Sequence, residues 1–179
     1  MTGLTALGRV LHEEHFRILM WMCDLQNRVT GEAGTRHPDL GDAEEREELF
    51  DLIGALDQIM AHHAFEEEVV FPLLRADGDP DLVILLSDDH ISIEPMILRL
   101  RRLAMDMLRQ GAEGGCWPEF RRIAQVLFAD MIRHLEKEEL TILQRLDSLL
   151  DAKTDHQLAL QYGTARPLTV VATDATNLR

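Results

Sequence analysis

The chain is 179 residues long, 46% hydrophobic and 28% charged, which suits one globular domain with a core of its own. A formal net charge of −14 argues against nucleic acid and anionic membrane as partners, since no basic stripe offsets it. RLRRL at 99–103 and the Arg121–Arg122 pair read as solvated helix faces.

No run approaches the roughly 20 apolar residues that cross a bilayer, and the opening residues MTGLTALGRVLHEEH do not resemble a secretory leader. Cys23 and Cys116 form no C-x-x-C, so two free thiols in a reducing, cytoplasmic compartment are expected. Aromatic residues make up only 5%, while Leu, Met, Glu, Arg and Ala are abundant, a balance that favours helices.

Taken in chain order, apolar residues recur with helical spacing in four long segments. The first covers about 4–29 and stops before TGEAGTRHPDLGD, rich in Gly, Asp and Pro. The second opens near 44 with acidic residues suited to a helix N-terminus and reaches 75, where ADGDPD breaks the chain. The third covers about 82–110 and ends at GAEGG. The fourth starts at Trp117-Pro118, with proline fit for a first turn, and continues to 150. Short connections between long helices imply an all-α, up-down-up-down four-helix bundle over 1–150. Residues 151–179 form an extension in which DAKTDHQLALQY could add a short helix and GTARPLTVVATDATNLR reads as a tail or partner-binding arm.

A bundle helix turns a line of residues spaced by three and four toward the core. In the first segment this line is Leu4, Leu7, Leu11, His15, Ile18, Met22, Leu25 and Val29; in the second it is Leu49, Leu52, Leu56, Ile59, His63, Glu66, Val70 and Leu73. The third gives Val83, Leu86, His90, Ile93, Ile97, Leu100, Ala104 and Met107, and the fourth gives Phe120, Ala124, Leu127, Met131, His134, Glu138 and Ile142.

Every line is apolar except at one place, and that place holds histidine each time. His62 pairs with Glu66, and His134 with Glu138, at i and i+4, so each pair projects from one helix face about 6 Å apart along the axis. A lone histidine on an apolar face is ordinary core. Four of them with two buried carboxylates are not, because each unpaired carboxylate costs several kcal/mol or must protonate. A shared cation removes that cost.

The pattern also repeats: a lone histidine after two acidic residues (HEEH, SDDH) alternates with histidine followed by glutamate four residues later. Two matching half-sites naturally cradle two metals with the glutamates free to bridge. Nitrogen donors with carboxylates suit Fe, Zn, Cu or Ni over Ca or Mg. No histidine has glutamate three residues before it, which excludes the E-x-x-H pairs of ferritin-like proteins, and H-E-x-x-H is absent. His12, His37 and His156 are expected to lie outside the set of ligands.

EEHFRI, HHAFEEEVVFPLL, DDHISI and HLEKEELTIL together resemble the hemerythrin-like HHE cation-binding domain over roughly 8–150. The resemblance implies a non-haem di-iron centre with oxo or hydroxo and carboxylate bridges, held by His15, His62, Glu66, His90, His134 and Glu138, with Glu66 and Glu138 as bridges. Periodicity slightly favours His63, whereas family spacing favours His62, and both stay open. Hemerythrins proper carry a second histidine four residues after the one in the third helix. Here that position is Glu94, followed by Pro95, which is expected to disturb the helix. Some relatives place the last carboxylate at the position of Glu139, while the seam prefers Glu138. Glu67 and Glu68 are expected to face water.

The function expected is binding or sensing of O2 or iron, with O2, another small diatomic or peroxide as ligand, and no substrate turnover. The alternatives are a di-iron oxidase or peroxide- or nitric-oxide-reactive enzyme, and an interaction module clipped by metal. Zinc is the alternative ion.

Overall fold

The computed structural model describes residues 4–112 and 115–164, and every regular element among them is helical. Helix α1 spans Ala6–Val29 and α2 spans Ala43–Phe65; a π-helical segment Glu66–Val70 then leads into α3, Phe71–Ala76. Helices α4, Pro80–Gln110, and α5, Trp117–Leu149, are the longest, and α6 covers Ala152–Thr164. Side-chain oxygens cap the starts: Thr5 accepts from the Gly8 amide, Asp42 from Glu44 and Asp79 from Leu82. A short 3-10 turn, Ala33–Thr35, links α1 to α2. A side chain at Gly34 would place Cβ 2.2 Å from the Val29 carbonyl oxygen, so only glycine fits there.

Helices α1 and α5, α4 and α5, α2 and α4, and α1 and α2 pack together. Cross-links fix their order. Arg28 pairs with Glu45 between α1 and α2 at 3.1 Å, and Arg101 with Asp57 between α4 and α2 at 2.6 Å. Between α4 and α5, Arg99 meets Glu119 at 2.8 Å and Asp89 meets Lys137 at 2.6 Å. Arg121 donates to the Val29 carbonyl from α5 to α1.

The expected seams of the first, third and fourth segments are buried, apart from the half-buried Leu4 at the chain's start. The second departs from expectation in two places. Ile53 is more deeply buried than Leu52, and beyond Glu66 the inward residues are Val70, Phe71 and Leu74 in place of Leu73. The cause of the second departure is the π-helical segment. The Phe71 amide bonds to the Glu66 carbonyl, one residue farther back than in an α-helix, so the register slips by one. Pro72 has no amide hydrogen to restore the α-helical ladder.

Pro95, expected to disturb the helix, removes one backbone bond from α4 without ending it: the helix runs through. Both Pro95 and Ile91, whose carbonyl loses its partner, are exposed, so water can satisfy the freed group.

The polar layer divides the core in two. One apolar cluster runs from Ile18 and Met22 to Phe120 and Leu127; the other gathers Leu7, Leu11, Phe71, Leu86, Ile142 and Leu146 with Tyr162. DAKTDHQLALQY does form a helix, α6, which lies against α1. The tail reading concerns residues that, from 165 on, lie outside those described. Asp155 of α6 is nearly buried and accepts from the Ala6 and Leu7 amides at 2.7 and 2.9 Å, capping α1 across 149 residues of chain.

Replacing Asp155 with alanine strands those two amides, and the expected loss of stability is about 1–2 kcal/mol. Urea denaturation followed by circular dichroism checks this, and Asp155→Asn should recover part of the loss.

Candidate metal centre

Five imidazoles and two carboxylates meet in the layer between the apolar clusters. His15 comes from α1, His62 and His63 from α2, His90 from α4 and His134 from α5; Glu66 opens the π-helical segment and Glu138 lies one turn beyond His134. All seven are essentially buried. The six residues expected as ligands are thus brought together, and His63 joins them.

Two groups of four donors can each hold a cation. One donor atom each from His15, His62, Glu66 and Glu138 lies within 4.8 Å of the others, and the same holds for Glu66, His90, His134 and Glu138. The glutamates belong to both groups. Glu66 turns Oε1 toward His62 Nε2 at 3.4 Å and Oε2 toward His90 Nε2 at 3.5 Å. Glu138 turns Oε2 toward His15 Nε2 at 3.5 Å and Oε1 toward His134 Nε2 at 3.1 Å.

Both His62 and His63, the two candidates from the second segment, turn their rings inward, into different halves. His62 meets His15 edge-on, with centroids 5.0 Å apart, while His63 stacks on His90 at 4.0 Å and groups with His90 and His134.

The family model described as hemerythrin HHE cation binding domain matches residues 6–146. The chain belongs to the hemerythrin HHE cation-binding family. No curated protein and no solved structure matched it.

In this HHE domain the outer ring nitrogens are anchored and the inner ones are not. The Nδ1–H of His15 donates to Glu139 at 2.7 Å, that of His90 to Glu67 at 3.0 Å and that of His134 to Asp89 at 3.3 Å. His62 donates from Nδ1 to the Tyr162 hydroxyl at 3.0 Å, and that hydroxyl donates in turn to Glu14. Each bond occupies Nδ1 and leaves Nε2 pointing into the layer, where its lone pair is available to a cation once the ring is neutral. There, His15 Nε2, His62 Nε2 and all four oxygens of Glu66 and Glu138 are buried without a hydrogen-bond partner, and His90 Nε2 approaches His134 Nε2 to 3.1 Å. A buried layer of unpaired acceptors facing one another is unfavourable for protein alone and is the donor set a divalent cation needs. The residues fit a metal.

Sequence reasoning missed Glu14, Tyr162 and the anchoring role of Glu67. A helical step of three from Leu11 reaches Glu14 as readily as a step of four reaches His15, so periodicity did hold a signal for it. Glu67 is half-exposed as expected yet holds His90; Glu68 is exposed. Glu139 faces His15 and His12 from the outside, whereas Glu138 faces the layer. His12, His37 and His156 belong to none of the donor groups.

The charges explain how the layer manages without a cation. Burial opposes protonation of His15, but the hydrogen bond to Glu139 and the nearby negative charges of Glu66 and Glu138 outweigh it and lift its pKa to about 10. Burial likewise acts against protonation of His90, and Glu138, Glu66 and Glu67 overcome it, again to about 10. His63 goes the other way: burial and the neighbouring His90 hold it well below the ordinary imidazole value. Burial raises Glu66, but His62, His15 and His90 hold it well below the usual carboxylate range.

A folded-state pKa above the unfolded value of 6.5 stabilises the metal-free protein fully below that pH, and the contribution is lost as pH rises toward 10. The apoprotein should therefore melt at lower temperature as pH rises from 7 to 10. The loaded protein should do the reverse and release its ions on acidification. Metal binding at pH 7 should expel about two protons, from His15 and His90. Calorimetry in buffers of differing ionisation enthalpy measures that number.

Proposed function

We propose that the chain is a di-iron protein that binds or senses O2 or iron. Its ligands on this reading are His15, His62, Glu66, His90, His134 and Glu138, with His63 as a seventh donor beside His90. The observation that carries the proposal is the division of each carboxylate: Glu66 and Glu138 present one oxygen to each half of the layer, the arrangement two bridged cations require.

Iron held there supplies a redox-active centre able to take up O2, another small diatomic or peroxide. The chain's own part is to exclude water with the apolar clusters on either side and to fix every imidazole through its outer nitrogen. Zinc suits the same nitrogen and oxygen donors and is the competing ion.

The pairing of low-numbered residues of one helix with high-numbered residues of its neighbour supports the up-down-up-down topology over 1–150, with 151–179 as an extension. Among the described residues no helix is long and apolar enough to cross a membrane. Two free cysteines support a cytoplasmic setting, and the net charge of −14 speaks against nucleic acid and lipid as partners.

A second reading, a peroxide- or nitric-oxide-reactive enzyme, is favoured by one observation. Glu94 stands 3.5 Å from His63 with its side chain 31% exposed, so a carboxylate in contact with water lies beside that half of the layer. Turnover of peroxide or nitric oxide by the reduced protein in stopped flow separates it from binding alone.

Iron analysis after iron-replete expression, with visible spectra before and after azide, tests the proposal. Two irons per chain and azide-sensitive bands are expected; less than one iron with no such bands overturns it. Glu66→Ala should remove both ions, because that carboxylate serves both halves. His62→Ala should leave roughly one ion per chain, on the His90 and His134 side.

A further inference from the structure

Glu94 replaces the histidine that would complete the oxygen-carrier pattern, and it belongs to a cluster on the outer side of the layer. Glu67, Glu94 and His90 offer three donor atoms within 4.8 Å of one another. Glu67 Oε1 lies 3.0 Å from His90 Nδ1, and Glu94 Oε1 lies 3.5 Å from His63 Nδ1. The His63 and His90 rings stack with an interplanar angle of 8°, so two parallel imidazoles meet two carboxylates through their Nδ1 atoms.

Two exposed acids alone would be a solvated pair. His63 makes the difference. Its ring is wholly buried, neither nitrogen has a hydrogen-bond partner, and Nδ1 faces Glu94 beyond hydrogen-bonding distance. Polar atoms buried in this way need a partner. Glu67 and Glu94, with side chains 48% and 31% exposed, connect that nitrogen to solvent.

At the other edges the outer groups already have partners. Asp89 behind His134 is neutralised by Lys137, and Glu139 is shared between His12 and His15. A cavity of about 400 Å³ reaches His62, but there the Nδ1 atom is already bonded to the Tyr162 hydroxyl.

We propose that Glu67, Glu94 and His90 Nδ1 form an outer divalent-cation site through which metal enters the buried centre, with the unpaired His63 Nδ1 3.5 Å behind Glu94 as the next nitrogen inward. This rests on reading that centre as a metal site. Imidazole nitrogen with two carboxylates suits Fe(II), Co(II) or Zn(II), and the net charge of −14 draws cations toward the carboxylates. Capture on His90 Nδ1 displaces the proton that this atom donates to Glu67, and the proton leaves to solvent by way of that exposed carboxylate while Nε2 keeps its own. As the ion passes inward, the Nε2 proton is released to solvent and Nδ1 takes one back through Glu67. The ring then carries a single proton, on Nδ1 and hydrogen-bonded to Glu67. Glu94 thus replaces a ligand of the oxygen-carrier pattern with a carboxylate that captures and passes on metal.

The test uses the full-length apoprotein and Co(II) alone, with visible d–d absorbance for the rate of uptake and equilibrium dialysis for the amount bound. Glu67→Gln/Glu94→Gln keeps a hydrogen-bond acceptor at both positions. Glu13→Gln/Glu136→Gln, at two exposed sites away from the layer, makes the same change in net charge. The first variant should load about tenfold more slowly than the wild type, while the second stays within about twofold of it.

Glu94→Gln alone leaves the bond between Glu67 and His90 intact and should load several-fold more slowly to the same final occupancy. Equal rates for the two double variants overturn the outer site. So does slow loading of Glu94→Gln with lower final occupancy, which would make Glu94 a support of the centre. Glu66→Ala that still binds as much Co(II) as the wild type would instead overturn the buried-centre reading itself.

Discussion

Two carboxylates, Glu66 and Glu138, lie at zero exposure between two apolar clusters, with no hydrogen bond to any of their four oxygens. The rest of the molecule answers to that constraint. An isolated buried carboxylate is unfavourable by several kcal/mol, and two facing each other are worse. The chain meets the cost by bringing four imidazoles within 4 Å of these oxygens, and the raised pKa of His15 and His90 shows the carboxylates drawing protons into the layer. Protons and metal ions are therefore alternative occupants of the same charge balance. That coupling links folding, pH and metal in this HHE domain.

The donors are aimed by a ring of residues that never face the layer. Glu139, Glu67 and Asp89 each hold one imidazole by its outer nitrogen, and each sits one position from a residue on the seam or its polar layer. Adjacent residues on a helix point about 100° apart, so a pair such as Glu138–Glu139 can serve the inside and the outside of one site. Tyr162 and Asp155 extend this arrangement beyond the family match, which ends at 146. The first props His62 and the second caps the helix that carries His15, so α6 fastens the half of the layer formed by α1 and α2.

The π-helical segment has a related role. It begins at Glu66, the residue that serves both halves, and ends beside the proline that denies the chain an α-helical bond. Widening the helix by one residue keeps Glu66 on the face set by His62 while turning Phe71 and Leu74 inward beneath it. Phe71 then packs 5.3 Å from the His90 ring and closes the layer from that side.

Helical class, three of the four seams and the buried polar residues on them were legible in the order of residues alone. A helix repeats every 3.6 residues, and a charged residue on an apolar face is visible at that period wherever it falls. The family pattern was legible too, since H-x-x-x-E is a contact within one helix. What depends on residues far apart in the chain came only with packing: that His62 and His63 face different halves, that Glu14 and Tyr162 stand behind His62, and that Glu67 and Glu94 meet at one edge. Nor did periodicity foresee the π-helical slip at Leu73 and Leu74 or the harmless position of Pro95. Both depend on which way a backbone group faces, toward core or water, and that is settled only when the helices pack.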